Sequence, residues 1–568
     1  MNGNMGSVRQ RGLAVSWGMF SLAETGLIYK GIRPLQKLSA QARDLALNNP
    51  LFNMREIVPQ RLRVVPPDPW AGDAQRGRDM IAGVFRFAGQ SIERENLSWR
   101  PEAARSEWLA ELHGFEFLRD LRSVGGDRAR RMAREMVASW LHHYEQPSEA
   151  PCGADVTGAR LAAWISFHDF FCASAEDGFR LNYFTSLVRQ AKHLQRTLPG
   201  GLGGIALMRA LKGLAYAGLA LEDGSDRLEV SFKMILKEIR EQILPDGAHV
   251  SRSPQTTFEF LQILVDLRTA LTAARLPLPD ELQHAIDRIT PAVKFYRHVD
   301  GTLAQFNGGQ EGNANICDAT LMHSGAKGKA MKSLPHAGYE KICLGRSGLI
   351  MDVGLPPAAQ KYAGRVHTGL LGFEYSYGKD KVITNCGTSA FRGKWRELLR
   401  ATAAHSTVTI DNKNALQFDS DGFISTHPSI EHRLSEDAGM AMIEAGHDAY
   451  LKRYNVALRR RVLLQDQGDV LIGEESMLGR AEVPFAVRFH LHPNIQASLI
   501  AEGCEVLLRA RSGTGWRFTA QGAKLDIEDS VYMCEGEMPR RCLQIVLSGT
   551  TLSDLTMVAW QLRREKGI

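Results

Sequence analysis

The sequence predicts a multidomain α+β protein in which a layer or ring of antiparallel helices precedes an antiparallel β-sandwich. Three observations carry this. The chain has 568 residues, too many for one ordinary core. From about Leu35 to Val299 the apolar residues recur at helical spacing with no strand-like runs between them. After about Gly338 the pattern changes to short β-branched and aromatic runs bounded by Gly, Asn and Asp.

The helical elements are each about one helix long and are separated by Pro, Gly or Asp. They include "WLAELHGFEFLRDLRSV" from Trp108, "ARRMAREMVASWLHHY" from Ala129 and "LEVSFKMILKEIREQIL" from Leu228. "TTFEFLQILVDLRTALTAA" from Thr256 and "ELQHAIDRITPAVKFYRH" from Glu281 continue the series. Helices in succession, without strands to cover, must bury their stripes on one another. The strand-like runs are "HSTVTID", "DVLIGEES", "FAVRFHLHP", "EVLLRARS", "GWRFTAQG" and "CLQIVLSG". The Gly/Asn-rich stretch "FNGGQEGNANICDAT" at Phe306–Thr320 is the expected boundary. The division expected is an extension over 1–60, the helical domain over 61–330 and the sandwich over 336–568.

Composition narrows the function classes. The chain is 44% hydrophobic and 23% charged, and 69 basic against 63 acidic residues leave a net charge of +6. So mild an excess suits an anionic ligand without identifying one. Basic blocks such as "LRRRVLL" at Leu458–Leu464 alternate with apolar residues like a half-exposed strand, so no nucleic-acid partner is expected. The eight cysteines form no C-x-x-C pair and read as buried free thiols. No run approaches the ~18 apolar residues of a membrane span. Near the N-terminus Arg9 and Arg11 precede "GLAVSWGMFSLAETG", which is only weakly apolar and lacks a small-x-small cleavage pattern. An amphipathic surface helix is expected there.

The block "HTGLLGFEYSYGKDKVITNCGT" followed by "WRELLRATAAHSTVTID" resembles the C-terminal block of the heparinase II/III family of polysaccharide lyases. "RLAAWI" at Arg160–Ile165, "QILPDGAHVSRSP" at Gln242–Pro254 and "RFH" at Arg488–His490 add weaker matches. The resemblance implies an N-terminal (α/α) toroid followed by a C-terminal antiparallel β-sandwich. It also implies β-elimination on an acidic, uronate-containing polysaccharide such as a glycosaminoglycan or an alginate-like polymer. A cell-envelope or periplasmic location would follow; the absence of a clear export signal, taken at face value, points to the cytoplasm instead.

Such an elimination needs three things: a group that neutralises the uronate carboxylate, a base for the C5 proton and an acid for the departing O4. The resemblance makes His367 a catalytic group or a metal ligand. In zinc-containing members an Asp and a His complete the metal set, and here those positions read Asn385 and His405. Two imidazoles and an amide make a poorer Zn²⁺ site than two imidazoles and a carboxylate, so zinc is an open expectation. His367 and His405 can equally hydrogen-bond across the sandwich and order it.

Other positions depart from the family. Arg365 stands where many members carry a second histidine; it cannot act as a base, but it can pair with a carboxylate. The Asn-His pair expected near Leu198–Met208 is absent, and Thr256 and Thr257 occupy the place of the family's catalytic tyrosine. Tyr375 and Arg252 remain as catalytic candidates, and His249, Trp164 and Trp395 as substrate contacts. Tyr375 and Tyr377 share one strand face, with Glu374 on the other. Each candidate has a structural alternative, Tyr375 in the sandwich and Trp164 in the helical core. His490 and His492 read as core or surface histidines. Three functions stay open: a lyase; a glycan-binding or envelope-biogenesis protein that kept the scaffold without the base; and a hydrolase using paired carboxylates, for which Glu311 and Glu374 are the suggestive acids.

Overall fold

The computed structural model describes residues 58–568 apart from 94–97, 145–152, 358–364, 390–392, 421, 438, 480–481, 534–538 and 566–568. The expected N-terminal amphipathic helix lies outside the described residues. The chain forms an (α/α) toroid followed by an antiparallel β-sandwich.

Among the described residues, helices follow one another from Ala74–Ile81 to Ala314–Ser324, broken only by the small hairpin of Val84–Phe87 and Gln90–Glu93. The long ones bury one face each, as their period requires; Gly126–His143 buries Ala129, Met132, Ala133, Met136, Val137 and Trp140. Ala154–Ser166 and Gly204–Ala220 approach most closely where Gly158 meets Gly213. A Cβ built on Gly213 would lie 2.2 Å from the Gly158 carbonyl oxygen. Only glycines let the two backbones touch there. Phe306–Thr320 is not a free linker. Phe306, Asn307 and Gln310 are buried, Asn313 caps the next helix by accepting from the Asn315 and Ile316 amides, and that helix runs on to Ser324. Glycine and asparagine serve tight turns and a cap here rather than flexibility.

The sandwich has two antiparallel sheets. One runs Ile495–Ile500, Glu505–Ala510, Gly515–Gln521, Asp554–Glu565, Val470–Gly479, Val456–Gln465, Met440–His447, Ile430–Asp437. The other runs Lys524–Tyr532, Arg540–Thr550, Pro484–Leu491, Asp380–Thr384, Phe373–Tyr377, Ser347–Asp352, Tyr339–Leu344, Ser333–Leu334, with Val408–Ile410 also paired to Pro484–Leu491.

This second sheet is a middle layer. Ile342, Leu349 and Met351 pack into the sandwich core, whereas Leu334, Tyr339 and Ile350 join the core of the toroid. Ser347–Asp352 and Phe373–Tyr377 are therefore buried along their whole length. Polar residues on the toroid face of the sheet must find partners in the helices. Lys381 Nζ reaches Glu311 Oε2 at 2.6 Å, and His298 Nε2 meets Glu374 Oε2 at 2.8 Å. Asp246 accepts from the His336 and Ala337 amides at 2.8 Å each. Six cysteines among the described residues are free; Cys172, Cys317, Cys386 and Cys542 are buried, while Cys343 and Cys504 are exposed, against the expectation of burial.

Candidate functional site: a groove between toroid and sandwich

A groove of about 210 Å³ opens where the toroid meets the middle sheet. The toroid contributes Gln255, at the start of Pro254–Ala273, and Gln310; the sandwich contributes Arg365, His367, Arg396 and Arg400. Glu107 is the one carboxylate among its described lining residues. Gln255 Oε1 accepts from the Gln310 amide at 3.2 Å, and Gln310 Nε2 donates to the Thr388 carbonyl at 3.3 Å, tying the two walls together. Arg365 Nη1 donates to Thr256 Oγ1 at 3.4 Å across the gap.

The loop carrying His367 is fixed from behind. Its amide donates to Asn307 Oδ1 at 3.2 Å, and Asn307 Nδ2 donates to Tyr339 Oη at 2.7 Å and Asp352 Oδ2 at 3.2 Å. Arg400 Nε donates to the Val366 carbonyl at 2.9 Å, and the Arg400 carbonyl accepts from the Thr368 amide at 2.9 Å. The helix Lys394–Arg400 thus supplies groove cations and also clamps the histidine loop.

His367 Nδ1 lies 3.0 Å from His405 Nε2. The protons of this pair follow from its surroundings. His405 Nδ1 is 2.8 Å from the Ala401 carbonyl, which can only accept, so His405 carries its proton on Nδ1. Burial pushes the pKa of His405 down to about 4, so the ring is neutral and its Nε2 is bare. His367 must then donate from Nδ1. Burial, then His405, Arg400 and Arg396, hold the pKa of His367 well below its ordinary value, so this ring too is neutral. Its Nε2 is left with a lone pair and no partner among the described residues, on a ring that lines the groove. Gly369 makes room for the pair: a Cβ there would sit 2.3 Å from His405 Cγ.

These donors do not fit zinc. The two imidazole nitrogens are spent on each other. Asn385 Oδ1 accepts from the Ser406 amide at 3.1 Å, and Asn385 Nδ2 donates to Glu374 Oε1 at 3.2 Å. Among the described residues no three His, Cys, Asp or Glu side chains converge as a ligand set would. Asn385 is instead a bracket that joins the loop of His405 to the buried Glu374.

Several sequence candidates are elsewhere. Arg252, expected in a loop without packing, is 5% exposed. It is held at φ 61°, ion-paired to Asp352, stacked over Tyr339 and bonded to the Ala337 carbonyl at 2.6 Å, so it docks the sheet onto the toroid. His249 is buried with both ring nitrogens engaged, by Ser251 Oγ and Gln242 Oε1, each at 2.8 Å. Tyr375 faces the sandwich core with its hydroxyl 2.8 Å from Ser347 Oγ, because alternation sends it away from the toroid. Trp164 is fully buried among Phe115, Trp140 and Tyr183. Trp395 is 43% exposed on the clamping helix but does not line the groove. Of the sequence candidates, Arg365 and His367 line the groove, with His405 and Asn385 behind them. Gln255, Gln310, Arg396 and Arg400 were missed, since polar residues on helix starts and loops carry no distinguishing pattern.

The comparisons with known proteins agree with this architecture. Residues 326–561 match the family "Heparinase II/III-like, C-terminal". Solved structures share the whole fold. The crystal structure of heparinase III superposes with a TM-score of 0.70 at 14% identity, over 96% of this chain and 91% of that one. A heparan sulfate lyase from Pedobacter heparinus gives 0.59 at 14% identity, over 87% and 83%. FtsZ-localized protein C of Caulobacter vibrioides is 29% identical over 541 residues, 90% of this chain and 91% of the relative.

Proposed function

We propose that this protein binds an acidic saccharide in the toroid–sandwich groove and does not cleave it. The observation that carries this is the inventory of the groove's described lining residues: arginines and amides suited to carboxylates and hydroxyls, a neutral imidazole acceptor, and no phenol among them. Arg365 and Arg396 can grip a uronate carboxylate, and Gln255 and Gln310 can orient sugar hydroxyls. His367 Nε2 accepts from a hydroxyl. As a base for a carbon acid it is weak, because burial and the nearby arginines penalise the imidazolium that proton transfer would create. Two phenols of the middle sheet are committed elsewhere: Tyr339 Oη donates to the Arg252 carbonyl at 2.8 Å, and Tyr375 is in the sandwich core. The test is calorimetry of the full-length protein with uronate oligosaccharides, beside ultraviolet monitoring for unsaturated products. Saturable binding without product is expected. Product formation that disappears in His367→Ala would establish a lyase and overturn this reading.

The near-full-length relative named for its localization to FtsZ favours a second reading, a role at the division apparatus. Co-sedimentation of the full chain with FtsZ filaments tests it; recovery only in the supernatant would remove it.

A further inference from the structure

A second, larger cleft lies at the edge of the middle sheet and shares no lining residue with the groove. It measures about 790 Å³ and is bounded by the turns at Gly345–Arg346, Gly378–Lys379 and Ser512–Thr514, with Arg297–Val299 of the toroid as its far wall. Its described lining residues include four cations, Arg297, Lys341, Arg346 and Lys379, against one carboxylate, Asp380. Asp380 is already engaged, accepting from Ser512 Oγ at 2.6 Å. Arg297 is paired with Asp318 at 2.6 Å.

The remaining three cations have no carboxylate partner among the described residues. Lys341 Nζ donates to the carbonyls of Phe295 and Arg297, at 2.8 and 2.9 Å, which leaves one ammonium proton for the cleft. Those carbonyls hold the amine in place without neutralising it. Arg346 is positioned by an aromatic ring rather than an acid: its guanidinium lies 4.9 Å from the centroid of Tyr377. Lys379 is exposed at the tip of its turn. Elsewhere on the sandwich surface the exposed cations are commonly paired, as Arg517 is with Glu505 and Glu565 and Arg541 with Asp529. A concave wall that concentrates unpaired positive charge focuses its field on whatever enters.

We infer that this cleft is a binding site for a small ester carrying two or more phosphate or sulfate groups. The cleft is too wide for a single oxyanion, and its cations stand on separate turns and on the floor, so one group cannot meet them all. Ser512 and Thr514 add hydroxyls at the rim, and the exposed Val299 side chain gives an apolar contact for the ester's body. The site is independent of what the groove holds.

The experiment is calorimetry of the full-length protein at low salt with two probes, inorganic tripolyphosphate and a trisulfated heparin disaccharide, which separate phosphate from sulfate as the source. The double variant Arg346→Ala/Lys379→Ala changes only exposed side chains, and should lose about tenfold or more in affinity for whichever probe binds, as expected for lost charge-assisted contacts. The groove variant Arg365→Ala/Arg396→Ala should leave a cleft component of that binding in place. Unchanged affinity in the cleft variant, complete loss in the groove variant, or failure of both probes to bind the unaltered protein would each overturn the assignment.

Discussion

Two buried histidine clusters sit close together in the sandwich, and they differ in one nitrogen. His490 is sealed: Nδ1 meets Ser530 Oγ at 2.7 Å and Nε2 meets the Ala403 carbonyl at 3.0 Å, with the Cys386 thiol 3.4 Å from Nδ1. His367 is also buried, but its Nδ1 is engaged by His405 and its Nε2 has no partner among the described residues. Burial lowers both pKa values, that of His490 to about 3. A displaced pKa therefore does not distinguish the two. What marks His367 is an unfilled acceptor on a ring that lines a groove, and the same accounting returns His249 to the core.

The largest effect that would break the comparison is on stability. His490→Ala leaves the Ala403 carbonyl without its ring partner and the Ser530 hydroxyl with only the Cys386 thiol at 3.8 Å, and should cost about 3 kcal/mol in urea denaturation. His367→Ala removes one hydrogen bond and orphans only the His405 Nε2 acceptor, so it should cost less, about 1.5 kcal/mol, in the same measurement. Equal losses would show that the two clusters are both structural.

Acidification comes next. His405 has its pKa lowered to about 4 by burial, against 6.5 when unfolded, so between these values the unfolded chain binds more protons. Its contribution, up to about 3 kcal/mol, is fully present above pH 6.5 and is lost as pH falls toward 4. His113, His447 and His492, each lowered to about 4, and His490 act in the same direction. Thermal melts from pH 7 to pH 4 should show Tm falling throughout. A flat profile would contradict the neutral tautomers assigned to the pair.

Gly369→Ala sharpens the role of His405. The added methyl would displace the His405 ring and should cost about 1–3 kcal/mol, with a shifted imidazole resonance for His367 by NMR. Arg365→Ala should weaken saccharide binding about tenfold with no change in Tm, read by calorimetry. The smallest effect is expected from Zn²⁺: added to the protein it should leave Tm where it was, since among the described residues no anionic ligand joins the two imidazoles. A rise of several degrees would restore the metal reading.

Periodicity made the architecture legible. Helical spacing in the first half and alternation in the second follow from burying one face of each element, and they appear in sequence because every turn repeats them. The alternation of Phe373–Tyr377 also put Tyr375 and Tyr377 on one face and Glu374 on the other. It carries no information about which face meets which layer. That was decided by the docking of the middle sheet on the toroid, which turned the tyrosines into the sandwich core and Glu374 toward His298.

Arg252 shows the same division. The local sequence "SRS" looks like an exposed loop, and its partner Asp352 lies 100 residues away on a strand, so no local signal could announce the pair. The groove residues behave alike: Gln255 and Gln310 come from one domain and Arg396 and Arg400 from the other, and they become neighbours only because the layers close on each other. The sequence by itself determined the two kinds of layer and the position of the His367 block, since these rest on short-range pattern. Which polar groups are sealed and which face solvent was left to the tertiary structure, because hydrogen-bond satisfaction depends on contacts between distant segments.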